Sequence, residues 1–355
     1  MAEPKVLIVI ASANRRGAEV EGVELARQLQ LRGLEVSAVS LAPSSGVSGL
    51  AVDVLGAAPL GLATLRALRR RAKDVDVVIA YGSTTLPACA IALIGSRRPF
   101  VYRSIGDPRR WSKGGLHRLR TALLFRRARA VVALWPEAGE AIVDLYRVRA
   151  DRVSVIPNAR DGQHFRPASS LERAAVREEL GLPADATVIG FVGALSSEKR
   201  PLLAIEAVML VDGAHLLMAG DGPMRDRVRA VAEASNGRVH MLGSVDDVRP
   251  VLWACDVLLS TSSTEGMPGS LIEARMCGIP IVATRVGAVA LVLDGTAGVM
   301  VPVDATPAQF SEHLQRGDTR VQLADSSQFE WEYVGQAWHE LVCSLTRTDA
   351  ASSPA

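Results

Sequence analysis

Aromatic residues are scarce in this 355-residue chain: Phe, Trp and Tyr make up 4% of it, against 48% hydrophobic residues overall. Long apolar runs are missing too. Gly, Pro or a charged residue interrupts each one well before the roughly 18 residues that a membrane-crossing helix needs, so no such helix is expected. The first apolar run, VLIVIAS at residues 6–12, is too short and too soon followed by polar and basic residues for a secretory signal. It reads instead as the buried first strand of a mature protein. Cysteine is sparse as well. Cys89, Cys255, Cys277 and Cys343 stand far apart among apolar neighbours with no CxxC pair, which points to reduced core thiols and a cytoplasmic setting. The six histidines, His117, His164, His215, His240, His313 and His339, show no metal-ligand spacing. The Asp74-Val75-Asp76 string directly precedes a strand pattern, as a helix-to-strand turn would. No metal and no cofactor are expected.

What the chain does contain is a repeated strand and helix alternation. VLIVIAS is followed by a stretch at residues 20–33 in which Leu25 and Leu29, with Leu34 just beyond it, stand at near-helical spacing, and LEVSAVSL then returns to strand character. Similar strands recur at VDVVIAYG (75–82), PFVYRSIG (99–106), AVVALW (130–135) and DRVSVIPN (151–158), which implies a parallel, doubly wound sheet. A second series runs through ATVIGFVG (186–193), AHLLMAG (214–220), RVHMLG (238–243), DVLLST (256–261), PIVATRVG (280–287) and GVMVPV (298–303). Length favours two domains, since about 150 residues per domain is the usual scale. The expected division is residues 1–167 and 168–328, with a joint near 160–170, a last helix at 329–346 and a disordered tail at 347–355.

In open parallel sheets ligands bind beyond the carboxyl ends of the strands, where loops lead into helix N-termini. Three such loops in the second half are unusual: GALSSEKRP (193–201), GDGPMRD (220–226) and STSSTEGMPGSLIEA (260–274). In the last, Gly266, Pro268 and Gly269 forbid one continuous helix, and Pro suits a helix start near position 268. Glu265 then belongs to the loop and Glu273 to an early turn. Between them the amides of Gly269, Ser270 and Leu271 form an anion site, suited to a phosphate flanked by hydroxyl groups that bond to the two carboxylates. Asp221 in GDGP reads as a turn residue.

With VIPNARDGQHFRP, FVGALSSEKRP, MAGDGPMRDRV, LGSVDDV and EARMCGIPIVATRVGA around that motif, residues 155–295 resemble the retaining family 4 glycosyltransferases of the GT-B fold. Their E-x7-E motif matches Glu265 and Glu273. The resemblance implies two Rossmann-like domains facing across a cleft, a donor nucleotide held by the second, an acceptor by the first, and a C-terminal helix crossing back. It implies that Glu273 binds the ribose hydroxyls, Glu265 contacts the transferred sugar and Lys199 neutralises the diphosphate. Gly243, Ser244 and Val245 match the segment lining the base, and Gly17 the position where backbone approaches the phosphates. The implied activity is metal-independent sugar transfer, with retention, from a UDP- or GDP-type donor to a lipid, glycan or small molecule.

Three positions depart from the family pattern. The Arg that usually grips the diphosphate is Ala194, with Arg200 as a candidate substitute; the first-domain His is Gly106, with Asp107 the nearest polar group; and a later Glu is Leu291. These departures leave room for a catalytically weak nucleotide-sugar-binding partner subunit, and other GT-B chemistry, such as sugar-nucleotide epimerisation, is the remaining alternative. Charge is also segregated: residues 97–129 carry eleven cations, including Lys113, against Asp107, although the whole chain is only +2. Leucines interleave with them from about Gly115. That pattern fits peripheral contact with anionic lipid on the inner membrane surface, or an ordinary sheet-packing helix with a solvated basic face. No recognition motif for nucleic acid accompanies it.

Overall fold

The computed structural model describes residues 3–45, 49–82, 84–111, 114–315 and 324–351, so Ser83, Lys113 and residues 352–355 lie outside it. The chain divides into two units, residues 3–159 with 331–351 and residues 160–330.

The first unit runs β1 (Lys5–Ile10), α1 (Gly17–Leu31), β2 (Glu35–Ser40), β3 (Asp53–Val54), α2 (Leu62–Arg71), β4 (Val77–Tyr81), α3 (Thr85–Ala92), β5 (Phe100–Arg103), α4 (Gly115–Arg127), β6 (Ala130–Ala133), α5 (Pro136–Tyr146) and β7 (Val153–Val155). Its seven strands order as β3-β2-β1-β4-β5-β6-β7, and every pairing is parallel. Strands covered on both faces need no alternation, and Val6, Ile8 and Ile10 accordingly sit in a continuous apolar run with no exposure.

The second unit runs α6 (Ser170–Glu179), β8 (Val188–Val192), α7 (Pro201–Met209), β9 (His215–Ala219), α8 (Arg225–Glu233), β10 (Val239–Gly243), α9 (Arg249–Ala254), β11 (Val257–Ser260), α10 (Gly269–Met276), β12 (Ile281–Thr284), α11 (Val289–Leu293), β13 (Val299–Val301) and α12 (Pro307–Gln315). Its strands order as β10-β9-β8-β11-β12-β13, again all parallel. Both sheets are doubly wound and Rossmann-like, and each reverses its strand order once, between β1 and β4 and between β8 and β11. Those reversals open the crevices where such sheets take ligands.

The division falls between Ala159 and Arg160, earlier than residue 167. Backbone pairing fixes it there: the Arg160 amide donates to the Phe329 carbonyl at 2.8 Å, and Arg160 pairs with Glu330 as an isolated parallel bridge. The last helix, α13 (Trp331–Ala351), belongs to the first unit, with Trp331, Val334, Trp338 and Val342 in the cluster formed by β1, α1 and β4. It extends through Ala351, into the stretch expected to be disordered from residue 347. A continuous i to i+4 ladder carries it past the last apolar residue of its buried stripe.

Candidate active site

In the second unit, the loops that follow the two reversal strands are laced together by side chains. The loop after β8 carries Lys199 and Arg200; the loop after β11 carries residues 261–268. Thr261 Oγ1 donates to the carbonyls of Lys199 (2.9 Å) and Arg200 (3.0 Å), and the Ser263 amide donates to the Glu198 carbonyl at 2.7 Å. The Arg200 guanidinium donates back to the carbonyls of Thr261, Ser262 and Val303. These bonds set the position of Lys199, whose Nζ donates to Glu265 Oε1 at 2.5 Å. The pair is half-open: the Lys199 side chain is 25% exposed and that of Glu265 9%.

A glycine makes one close approach possible. Gly287, at φ 53°, lies so close to the Glu265 loop that an added Cβ would come within 2.4 Å of the carbonyl oxygens of Glu265 and Gly266.

Helix α10 starts at Gly269 with Pro268 as its N-cap, one residue later than Pro at the first helical position would give. Proline has no side-chain acceptor to offer, so the first amides stay open. Those of Gly269 and Ser270 have no acceptor among the described residues, whereas the Leu271 amide bonds to the Pro268 carbonyl at 3.2 Å and is not open. Glu273, in the second turn, accepts at Oε1 from Arg160 Nε at 2.5 Å.

The other expected site residues fall in different surroundings. Asp221 is a turn residue: its Oδ1 accepts from the Gly222 amide at 2.7 Å. Gly243, with φ 70°, ends edge strand β10, and its carbonyl accepts from the Gly220 amide; Ser244 and Val245 follow it. Arg200 does not stand open as a substitute for the cation missing at Ala194, because three backbone carbonyls occupy its guanidinium and burial pushes its pKa down. In the first unit Gly17 opens α1 with nothing near its Cα face, and Asp107 caps a 3₁₀ turn by accepting from the Arg109 amide at 3.0 Å. The loop after β1 is polar: Asn14 accepts from Ser44 Oγ (3.1 Å) and the Ser45 amide (2.9 Å), and burial raises the pKa of Glu19. Among the described residues no cluster of three or more His, Cys, Asp or Glu could hold a metal ion.

Residues 186–317 match the family model described as Glycosyl transferases group 1, and residues 15–163 the model described as Glycosyltransferase Family 4. The chain is thus similar to these glycosyltransferases in each of its two units. Its relatives include the 2-deoxystreptamine N-acetyl-D-glucosaminyltransferase of Streptomyces fradiae, 33% identical over 187 residues (50% of this chain, 43% of that protein). The lipopolysaccharide core biosynthesis glycosyltransferase LpsE of Rhizobium meliloti is 32% identical over 183 residues (48% of this chain, 54% of that protein). The chain thus spans about half the length of the curated relatives it matches. The solved structure of Anabaena HepE in complex with UDP-glucose superposes with a TM-score of 0.81 at 23% identity, covering 96% of this chain and all of that one. The two doubly wound units are therefore those of the GT-B glycosyltransferase fold.

Arg160 escaped the sequence reading. It lies within the quoted VIPNARDGQHFRP phrase, but nothing local marks it, because its partner Glu273 is 113 residues away.

Proposed function

We propose that this glycosyltransferase moves a sugar, with retention, from a nucleoside diphosphate sugar of the UDP or GDP type to an acceptor that is a lipid, a glycan or a small molecule. One observation carries the reading: at the reversal point of the second sheet, Glu265 and Glu273 are each held by a cation, and the helix that starts between them in sequence opens on the unbonded amides of Gly269 and Ser270. In the proposed mechanism, negative charge grows on the departing diphosphate, where the amides and Lys199 Nζ meet it. A single such donor contributes about 10²- to 10³-fold in rate. Glu273 accepts hydrogen bonds from the ribose hydroxyls and Glu265 from the sugar. The acceptor attacks from the face the diphosphate leaves, and a phosphate oxygen takes its proton. These groups supply the charge stabilisation without a metal, so turnover is expected to survive a chelator. The UDP-glucose bound by HepE supports a nucleotide-sugar donor of this type.

A screen of UDP- and GDP-sugars with candidate acceptors tests the proposal. Acceptor-dependent release of UDP or GDP is the expected result. The substitutions at Ala194, Gly106 and Leu291 favour, as second reading, a binding partner subunit with weak activity, which would bind donor without release; isomerised donor would point to an epimerase. Absence of donor binding overturns the proposal.

We further propose a cytoplasmic protein that contacts anionic lipid through the first unit. On α4, Leu116, Leu119 and Leu123 are 66%, 56% and 51% exposed, so the stripe is not spent on packing against the sheet. At the opposite end of that helix a cavity of about 520 Å³ is lined by seven arginines, Arg97, Arg126 and Arg129 among them, and by the carboxylate of Asp151. Each basic residue near an anionic surface contributes about 1 kcal/mol. No described helix is long and apolar enough to cross a membrane, so the contact is peripheral. Co-sedimentation with anionic vesicles at low salt checks it, and no binding removes it.

A further inference from the structure

Arg160 stands where electrostatics alone would not put a cation. Its Nη2 lies over Gly269, so close that an added Cβ there would come within 1.8 Å of it. That is the first residue of α10, the positive end of the helix, where amides and dipole repel a guanidinium. Glu273 offsets this through the 2.5 Å bond to Nε. Without a ligand, Lys199 and Arg160 balance Glu265 and Glu273. With both pairs closed, the donors left open at the start of α10 are the Gly269 and Ser270 amides.

Backbone geometry holds Arg160 at this place. Its amide is bonded to the Phe329 carbonyl at 2.8 Å, which pins the main chain while the side chain, 18% exposed, reaches across to α10. The side chain is thus sheltered yet reachable from solvent. The absence of a side-chain cation at Ala194, and the capture of Arg200 by three carbonyls, leave Arg160 as the arginine at the helix start.

We infer that Arg160 is the second diphosphate-binding cation of this site, and that Glu273 holds it in place until a donor arrives. A nucleoside diphosphate seated on the Gly269 and Ser270 amides offers the guanidinium a more highly charged, bidentate acceptor. Arg160 turns to it, and Glu273 is released to accept from the ribose hydroxyls. One exchange of partners couples ribose recognition to diphosphate recognition. This inference rests on the donor reading proposed above, but deepens it with a residue and a sequence of contacts.

Calorimetric titration of the full chain with uridine, UMP and UDP, and with guanosine, GMP and GDP, separates the two. Binding of UDP or GDP by the unsubstituted protein tests the donor reading; if neither binds, that reading falls and the inference with it. Given such binding, Arg160→Ala is expected to weaken the diphosphate by about 10- to 100-fold while the nucleoside changes by less than about threefold. Arg160→Lys is expected to recover part of the loss. Arg160→Gln, which removes the charge but keeps the aliphatic stem and a donor, is expected to show the same diphosphate-selective loss and serves if the alanine variant melts early. Equal losses for nucleoside and diphosphate would make Arg160 only a support for Glu273 and overturn the inference. Unchanged diphosphate affinity would overturn it as well.

Discussion

Each unit carries cation and carboxylate pairs near the carboxyl ends of its sheet, but the pairs are built to opposite ends. In the first unit Arg103, at the end of β5, lies 3.7 Å from Glu21 of α1, with side-chain exposures of 0% and 5%. Its guanidinium also donates to the carbonyls of Ile156 and Pro157 and to Asn158 Oδ1, and it lies over the rings of Tyr81 and Trp338. The pair is sealed, and it ties α1, β4, α13 and the end of β7 to one point. In the second unit the cations are open, Lys199 at 25% and Arg160 at 18%. A sealed cation cannot change partners without unfolding its surroundings. A half-open one can, and that distinguishes a structural tie from a ligand site.

The comparison breaks most visibly if a sealed partner is removed. Glu21→Gln leaves the buried Arg103 without its carboxylate counter-charge, and losing one partner of a buried pair costs about 3–5 kcal/mol. Chemical denaturation is expected to show that loss, while donor affinity of the remaining folded protein stays within about twofold; a stability change under about 1 kcal/mol would show that water reaches Arg103. The half-open pair is expected to behave the other way. Lys199→Ala should lower turnover by about 10²- to 10³-fold, or roughly 3–4 kcal/mol of transition-state stabilisation, with a smaller fall in melting temperature than Glu21→Gln. Unaltered kcat/KM for the donor would return Lys199 to the surface lysines. Asp107→Ala sharpens the contrast on a smaller scale. Its carboxylate is engaged as a cap, so the expected loss is about 0.5–2 kcal/mol of stability with little change in donor affinity. A large loss of turnover without loss of stability would instead restore Asp107 as a sugar contact.

Much of this frame is visible in the chain itself. Apolar runs such as VLIVIAS and ATVIGFVG mark buried parallel strands because burial on both faces removes the polar alternation, and strand order at the reversal follows from how few connections such sheets allow. The E-x7-E spacing also reads correctly as a loop carboxylate and a helix carboxylate, since Gly266 and Pro268 fix where the helix can begin. Side-chain commitments across long separations leave no such trace. Lys199 and Arg200 are adjacent and alike in sequence, yet one meets Glu265 and the other three carbonyls, because the left-handed backbone at Arg200, φ 50°, turns its side chain away. The leucines of α4 show the same limit: helical spacing reveals a stripe but not whether anything covers it.

The smallest effect comes from the other end of the second sheet. His215 opens β9 and His240 is the second residue of β10; their rings meet at 2.9 Å between Nδ1 and Nε2, near Arg238. Burial lowers the pKa of both, with Arg238 adding to the effect on His215 and His215 to that on His240. The unfolded chain therefore binds protons at these rings more readily than the folded one. The contribution is present above the unfolded value of about 6.5 and is lost as pH falls from there through the lower folded values. Melting temperature should fall modestly between pH 7.5 and 5.5, roughly one unit to either side of that value, and His240→Asn should flatten the fall. Because these rings stand at the amino ends of their strands, away from the loops that carry Lys199 and Glu265, nucleotide affinity is expected to stay level over the same range. A donor affinity that tracks the melting curve would mean that the two edges of the sheet are energetically coupled.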